Sequence, residues 1–103
     1  MPSVPINKST TTSAELVAAP GEGKFIRVMG FSYEVDPDQE NSNTVTFLSA
    51  ATVKHAPTWP AGGGEARDAG PDGIFDCAPN EALNMSLSAA IAVKGSLTYV
   101  VKG

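Results

Sequence analysis

Few residues in this chain could carry out acid–base or metal chemistry. His55 is the single histidine and Cys77 is the single cysteine. A histidine that acts as a base needs a nucleophile held beside it, and metal sites built on imidazole usually use more than one ligand of that kind. The sequence therefore predicts a structural or surface role for His55. It predicts that Cys77 is a small buried apolar residue beside Phe75.

Two loop motifs resemble ligand sites but lack parts that such sites need. Asp36-x-Asp38-x-Glu40 has the spacing of calcium ligands, without the glycine and distal glutamate of an EF-hand loop. The glycines at 21–23 and 62–64 are not followed by the Lys-Ser or Lys-Thr of a phosphate loop. We expect solvated turns here, with no metal and no cofactor. A pair of carboxylates acting on glycosides remains an open alternative.

Composition restricts the partners that this chain can bind. Its 103 residues suit one domain with a modest core. Only 17% of the residues are charged, and the net charge is −4, which argues against nucleic acid and against an anionic membrane. No stretch approaches the ~18 apolar residues of a membrane span. A surface with so few charges must be covered by small polar residues or by another protein.

Alternating hydrophobic residues predict strands along most of the chain. The longest candidate is 24–35, in which Gly30 indicates a bend or bulge. Residues 44–49 and 53–59 follow, and the prolines at 57 and 60 confine the second of these to an edge or an irregular connection. Residues 61–72 contain four glycines and are predicted to form a long exposed loop.

The closing segment, 81–102, has the clearest alternation. Leu83, Met85 and Leu87 point to one side, as in a half-buried strand. Residues 91–101 alternate as well, with Val101 in the inward row, and the short link at 89–90 predicts that the two strands are neighbours in one sheet. The chain as a whole shows seven or eight short strands. This number predicts an all-β antiparallel sandwich that is jelly-roll-like.

The domain organisation is predicted to be an extended N-terminal arm, 1–13, followed by a single β-sandwich domain, 14–103. The arm is rich in threonine and is able to add a strand to a neighbouring subunit, which makes Ile6, Thr10 and Thr11 candidate partner contacts. Trp59 is the fourth candidate contact, as an aromatic anchor for a sugar or a protein. The interpretation favoured for Trp59 is a core residue that caps one end of the sandwich.

The closing segment also resembles a known family. The run Asn80–Ala90 (NEALNMSLSAA), followed by Val93, Gly95 and 97–99 (LTY), is similar to the C-terminus of small bacteriophage virion proteins. Residues 21–28 (GEGKFIRV) and 46–49 (TFLS) resemble two earlier strands of such proteins, so that the resemblance covers about half of the chain. Asn80 and Ala50 depart from it, because glycine is common at both positions in the family.

The resemblance implies a non-enzymatic head decoration or cement protein. Such a protein binds the major capsid protein, commonly as a homotrimer, and stabilises the head by bridging capsid subunits. Its place is the capsid surface of a virion, after synthesis in the host cytoplasm. The alternative is a fibre or a carbohydrate- or receptor-binding module of a phage particle, with Trp59 as its contact. A small hydrolase is the third hypothesis, and it lacks a suitable base.

Overall fold

The computed structural model describes residues 2–38, 41–68 and 72–103. Ten strands form within these ranges: β1 (Ser3–Lys8), β2 (Ala14–Val17), β3 (Phe25–Val35), β4 (Asn43–Ser49), β5 (Thr52–His55), β6 (Thr58–Trp59), β7 (Gly64–Asp68), β8 (Phe75–Asp76), β9 (Leu83–Leu87) and β10 (Val93–Lys102). None of the described residues belongs to a helix long and apolar enough to cross a membrane.

The strands form two antiparallel sheets that pack against each other. The first sheet has the order β1-β10-β3-β7, and β8 also pairs with β3. The second sheet has the order β2-β9-β4-β5, and β6 also pairs with β4. The expected all-β antiparallel sandwich is therefore confirmed.

Strand pairing follows a nested pattern. β1 pairs with β10, β2 with β9, β3 with β7 and β8, and β4 with β5 and β6. Two further pairings, β10 with β3 and β9 with β4, complete the sheets. Because β9 and β10 lie in different sheets, the prediction that they are sheet neighbours is wrong. The link between them crosses from one sheet to the other.

A bulge in β3 explains why both rows of this strand are apolar. Gly30 lies opposite Thr98 and Val28 lies opposite Tyr99, so Met29 is an extra residue between these pairs. The extra residue reverses the alternation, and even-numbered side chains point inward before it while odd-numbered ones point inward after it. The bend or bulge predicted at Gly30 is confirmed.

The core lies between the sheets. Its buried hydrophobic residues are Ile6, Val17, Ile26, Val28, Phe31, Tyr33, Val35, Val45, Phe47, Cys77, Leu83, Met85, Leu87, Ile91, Val93 and Leu97. The inward row predicted for β9 and the burial predicted for Cys77 are both confirmed. Val101 differs from the expected inward row, since it is 46% exposed. Val101 lies past the Ser3–Thr98 pair at which β1 begins, so no β1 residue lies beside it in the sheet.

The glycine-rich stretch after Pro60 contains a strand, and the prediction of a long loop over 61–72 is wrong for 64–68. Gly64 lies opposite Glu34 in the pairing of β7 with β3. A Cβ at Gly64 would collide with the backbone of Tyr33, so glycine permits the two strands to approach closely. Residues 69–71 of the predicted loop lie outside the described residues.

Candidate functional site

The four predicted contact residues lie in different environments. Ile6 is 1% exposed and belongs to the core, because β1 pairs with β10 of its own chain. Thr10 and Thr11 are exposed in the link from β1 to β2. Trp59 is half-buried and packs against the core from β6, at the opposite side of the second sheet from β2. The structure does not bring these residues together into one site.

A polar network surrounds Trp59. Its indole Nε1 donates to the hydroxyl of Tyr33 at 2.9 Å, and that hydroxyl donates to Glu65 Oε1 at 2.6 Å. His55 Nε2 lies 2.6 Å from the same Glu65 oxygen. The residues come from β6, β3, β7 and β5. The network thus joins the β5–β6 side of the second sheet to the β7 edge of the first.

The donors and acceptors of this network can be assigned from Trp59 and Glu65. An indole N–H only donates, so the Tyr33 oxygen accepts it and the Tyr33 hydroxyl proton is left to point at Glu65. An ionised Glu65 carboxylate only accepts, so His55 donates through Nε2. The carboxylate is therefore the common acceptor of two donors. The network therefore ties His55 and Tyr33 to one oxygen of Glu65.

Burial determines the chemistry of the Tyr33 phenol. Desolvation, and after it the hydrogen bond to Glu65, raises the pKa of Tyr33 above its ordinary value of 10.0. The phenol is therefore neutral at physiological pH and acts as a hydrogen-bond relay. The His55 ring also packs on aromatic rings of the core, with centroids 5.6 Å from Phe31 and 6.3 Å from Phe47. The predicted structural role of His55 agrees with these contacts.

Cys77 lies next to a second buried polar group, Ser49. The Ser49 hydroxyl donates to Glu81 Oε1 at 2.6 Å and accepts from the backbone N–H of Ala78 at 2.9 Å. Burial raises the pKa of the Cys77 thiol, and the hydrogen bond to Ser49 opposes this shift. A thiol with a raised pKa is a poor nucleophile. Through these two hydrogen bonds, Ser49 joins the end of β4 to the segment 78–81 that follows β8.

Asn43 precedes the strand predicted over 44–49, and its side chain holds part of the fold together. It is fully buried at the start of β4. Its Nδ2 donates to the carbonyl of Ile91 at 3.1 Å, and its Oδ1 accepts from the N–H of Ala89 at 3.1 Å and from the Ser88 hydroxyl at 3.3 Å. The amide therefore holds the link between β9 and β10, where the chain crosses between sheets.

An ion pair on the surface joins β3 to β8. Arg27 forms a two-point ion pair with Asp76, at 2.8 and 3.1 Å, and lies 5.5 Å from the Phe25 ring centre. The hydrogen bond to Asp76 raises the pKa of Arg27; desolvation opposes this shift, and the charges of Asp76 and Asp72 add to it. In the motif with calcium-like spacing, the Asp36 carboxylate accepts a hydrogen bond from the N–H of Asp38, as in a turn. Glu40 of this motif lies outside the described residues. The described residues contain no group of three metal-ligating side chains.

The first sheet ends on β1 and β7, and both strands carry features that oppose strand addition. The backbone carbonyl of Pro2 accepts a hydrogen bond from the N–H of Tyr99. In an antiparallel pair, the residues that bond to the neighbouring strand alternate with residues whose N–H and C=O face the other way. The even-numbered residues of this segment therefore bond to β10. Pro5 falls between them, and its nitrogen, which has no proton, faces the free edge. On β7, Glu65 points inward beneath Tyr33, and an inward charge on an edge strand opposes pairing with another chain.

The second sheet ends on β2 and β5, and both strands contain a bulge. The register of β2 shifts between Glu15 and Val17, and that of β5 shifts beside Lys54. Bulges and lysines are common means of protecting edges. The four strands that end the main order of the two sheets, β1, β7, β2 and β5, thus each carry a feature that opposes strand addition.

The fold and the polar network together define a β-sandwich domain whose buried polar groups serve the fold. Comparison with protein-family models, with curated proteins and with solved structures finds no match to this chain.

Proposed function

We propose that this chain is a non-enzymatic virion structural protein that decorates a bacteriophage head. In this proposal it binds the major capsid protein on the head surface and stabilises the shell by bridging neighbouring subunits. The observation that carries the proposal is the similarity of Asn80–Ala90 and 93–99 to the C-terminus of small phage virion proteins.

The placement of that motif supports a structural role for its residues. Leu83, Met85 and Leu87 fill the core from β9, and Leu97 does so from β10. Gly95 lies so close to β3 that a Cβ would collide with the backbone of Ser32. These inward residues and Gly95 thus build the sandwich, and other residues form the surface that meets a capsid.

We also infer that the sandwich is a jelly roll. The nested pairing of β1 with β10, β2 with β9, β3 with β7 and β4 with β5 describes one long hairpin folded over on itself. Jelly rolls have eight strands in two sheets and occur in viral capsid proteins, lectins and cupins. The topology is compatible with a virion role and does not by itself select one.

The polar network around Trp59 bears on the carbohydrate-binding alternative. His55, Glu65 and Tyr33 are joined to one another by hydrogen bonds of 2.6 Å, and the Trp59 N–H is bound as well. A glycan that stacked on Trp59 would meet an indole that is half-buried and already hydrogen-bonded. The carbohydrate-binding alternative therefore has less support than binding to a protein shell.

Cosedimentation tests the proposal directly. The purified chain is mixed with phage heads that lack decoration protein, and the bound amount is measured after pelleting. We expect saturable binding at a fixed number of copies per capsid subunit, with a rise in the temperature at which the heads disrupt. Binding that never saturates, or that is equal on unrelated particles of similar charge, would contradict the proposal.

Surface substitutions then locate the contact. Thr10→Lys and Thr11→Lys alter exposed residues of the β1–β2 link and leave the core residue Ile6 in place. If this link meets the shell, both variants lose occupancy, whereas Thr52→Lys at the start of β5 keeps it. Equal occupancy of all three variants would remove Thr10 and Thr11 from the contact and leave the binding itself established.

A further inference from the structure

Lys8 is a lysine on the buried side of β1. It is 7% exposed and follows Ile6 in the inward row of that strand. Its partner in the register with β10 is Val93, which is fully buried. A buried ammonium group is costly unless hydrogen bonds or an opposite charge compensate it, so an apolar residue would fill this position at a lower cost. The role of Lys8 therefore depends on what its amino group binds.

The Lys8 ammonium binds the link between β1 and β2. Its Nζ donates to Thr10 Oγ1 at 3.1 Å and to the backbone carbonyl of Thr12. Both acceptors are neutral, and neither of the two ion pairs found among the described residues includes Lys8. The stem of the side chain thus lies in the core, while its charged end reaches past the end of β1 into the link.

The link, residues 9–13, depends on Lys8 for its attachment to the fold. All five of its residues are exposed, and the backbone bends at 10–12 without forming a regular turn. Within the part of the chain that the structure describes, the two bonds from Lys8 are the only hydrogen bonds made by the link. Removing the ammonium would therefore release the link while leaving the strands on both sides of it paired.

We infer that Lys8 is a positioning residue for the surface that meets the capsid. Its ammonium holds the link in one conformation, and Thr10 and Thr11 are thereby presented to the shell before binding. A segment that is ordered before it binds loses less conformational entropy in the complex, and so it binds more tightly. The inference rests on the proposed function, because it takes the link to be part of the contact with the head.

The ammonium also determines what Thr10 offers to the partner. Nζ can only donate, so Thr10 Oγ1 accepts, and the hydroxyl proton is left for another acceptor. The matching group on a capsid subunit is a carbonyl or carboxylate oxygen. Without Lys8 the hydroxyl rotates freely, and this preference for an acceptor is lost.

Lys8→Met, with Lys94→Met as its control, separates the ammonium from the packing of its stem. Methionine keeps an unbranched apolar side chain, and both acceptors belong to exposed residues, so that water replaces Nζ. We expect the urea midpoint of Lys8→Met to equal or exceed that of wild type, because an apolar residue replaces a buried cation. Lys94 is exposed and follows Val93 on β10, and its replacement removes the same charge without touching the link.

Two measurements then follow the link and the contact. Backbone amide relaxation, measured by NMR on the free protein, should give order parameters near about 0.85 at 9–13 in wild type and in Lys94→Met, and below about 0.6 in Lys8→Met. Thr10→Val removes one of the two acceptors and should lower these values part of the way. In cosedimentation with undecorated heads, Lys8→Met should bind about tenfold more weakly or worse, with saturation at the same copy number, while Lys94→Met binds as wild type does.

Several results would overturn the inference. One is a link that is equally ordered in wild type and in Lys8→Met, or already flexible in wild type. Another is a Lys8→Met protein that loses order in the link and still binds heads as tightly as wild type. A urea midpoint far below that of wild type would show that Lys8 supports the whole fold instead of the link. Failure of wild type itself to bind heads would contradict the proposed function, and the order parameters would still decide whether Lys8 positions the link.

Discussion

Asn43 is a buried amide whose removal would leave backbone groups without partners. Replacing it by alanine deprives the N–H of Ala89 and the carbonyl of Ile91 of their hydrogen bonds. Buried groups left unpaired cost about 1–3 kcal/mol each, so we expect Asn43→Ala to lower the free energy of unfolding by about 3 kcal/mol. Urea denaturation measures this change. Asn7→Ala, on the exposed side of β1, is the control and should stay within about 0.5 kcal/mol of wild type.

The sequence did not predict the burial of Asn43. Asn43, Val45, Phe47 and Ser49 occupy every second position, and all four are buried. The strand was predicted to begin at 44, because the residues from 36 to 43 are polar apart from Pro37. The alternation alone cannot show that a polar residue continues an inward row. That depends on the carbonyl and N–H groups of the distant link after β9, which fix the amide.

Tyr33 makes stability sensitive to alkaline pH. Burial, and then the bond to Glu65, raises the pKa of its phenol above the ordinary value of 10.0. In the unfolded chain the phenol loses its proton near that ordinary value, while the folded state keeps it. Above about pH 10 the unfolded state therefore binds fewer protons, and the free energy of unfolding falls as the pH rises. Below that pH the contribution is complete.

We expect Tyr33→Phe to remove this part of the alkaline decline. Unfolding is followed by the fluorescence of Trp59, the only tryptophan, at pH values from about 8 to about 11. Tyr99→Phe is the matched control, since Tyr99 is the only other tyrosine. The control should keep the wild-type slope above pH 10. Identical slopes in the two variants would show that Tyr33 does not cause the dependence.

At the scale of the elements, Gly95 fixes how closely β10 lies against β3. A Cβ at this position would collide with the carbonyl oxygen of Ser32 and with Tyr33 Cα. Both strands are central in the first sheet and cannot move apart without disturbing the core. We expect Gly95→Ala to lower the free energy of unfolding by about 2–3 kcal/mol.

Thermal or urea unfolding of Ser96→Ala provides the comparison for Gly95→Ala. Ser96 is the next residue of β10 and is exposed, so its substitution should change stability by less than about 0.5 kcal/mol. Equal stability of both variants would mean that the close approach relaxes without cost. The comparison isolates the added Cβ, because both changes leave alanine in the same strand.

Two glycines show how much of a strand can be predicted from its sequence. Gly30 was correctly predicted as a bend or bulge, because it interrupts a long apolar strand. Gly64 was placed in a loop, because it ends a run of three glycines. In the structure it permits close contact between β7 and β3, as Gly95 does on the other side of β3. Glycine is typical of both situations, and the strand register that separates them is not visible locally.

At the scale of the whole molecule, the fold class followed from local pattern and the pairing did not. The alternation in β9 placed Leu83, Met85 and Leu87 correctly in the core. The same segment was expected to pair with β10, because short links usually join neighbouring strands. The nested arrangement instead pairs β9 with β2 and β4, which lie far away in sequence. Such pairing depends on burying the inner faces of both sheets at once, and it cannot be predicted from any short segment of the sequence.

Pro5 is predicted to keep the free edge of the first sheet from pairing with other chains. Its nitrogen faces outward from β1, where an N–H would otherwise be offered to a neighbour. Pro5→Thr restores that N–H and adds a residue that favours strands, so we expect several-fold faster aggregation on mild heating. Light scattering and thioflavin fluorescence measure the rate of aggregation. Pro2→Thr is the control, since Pro2 precedes β1 and its nitrogen faces β10. If both proline variants aggregate at the parent rate, the edge is protected by something other than Pro5.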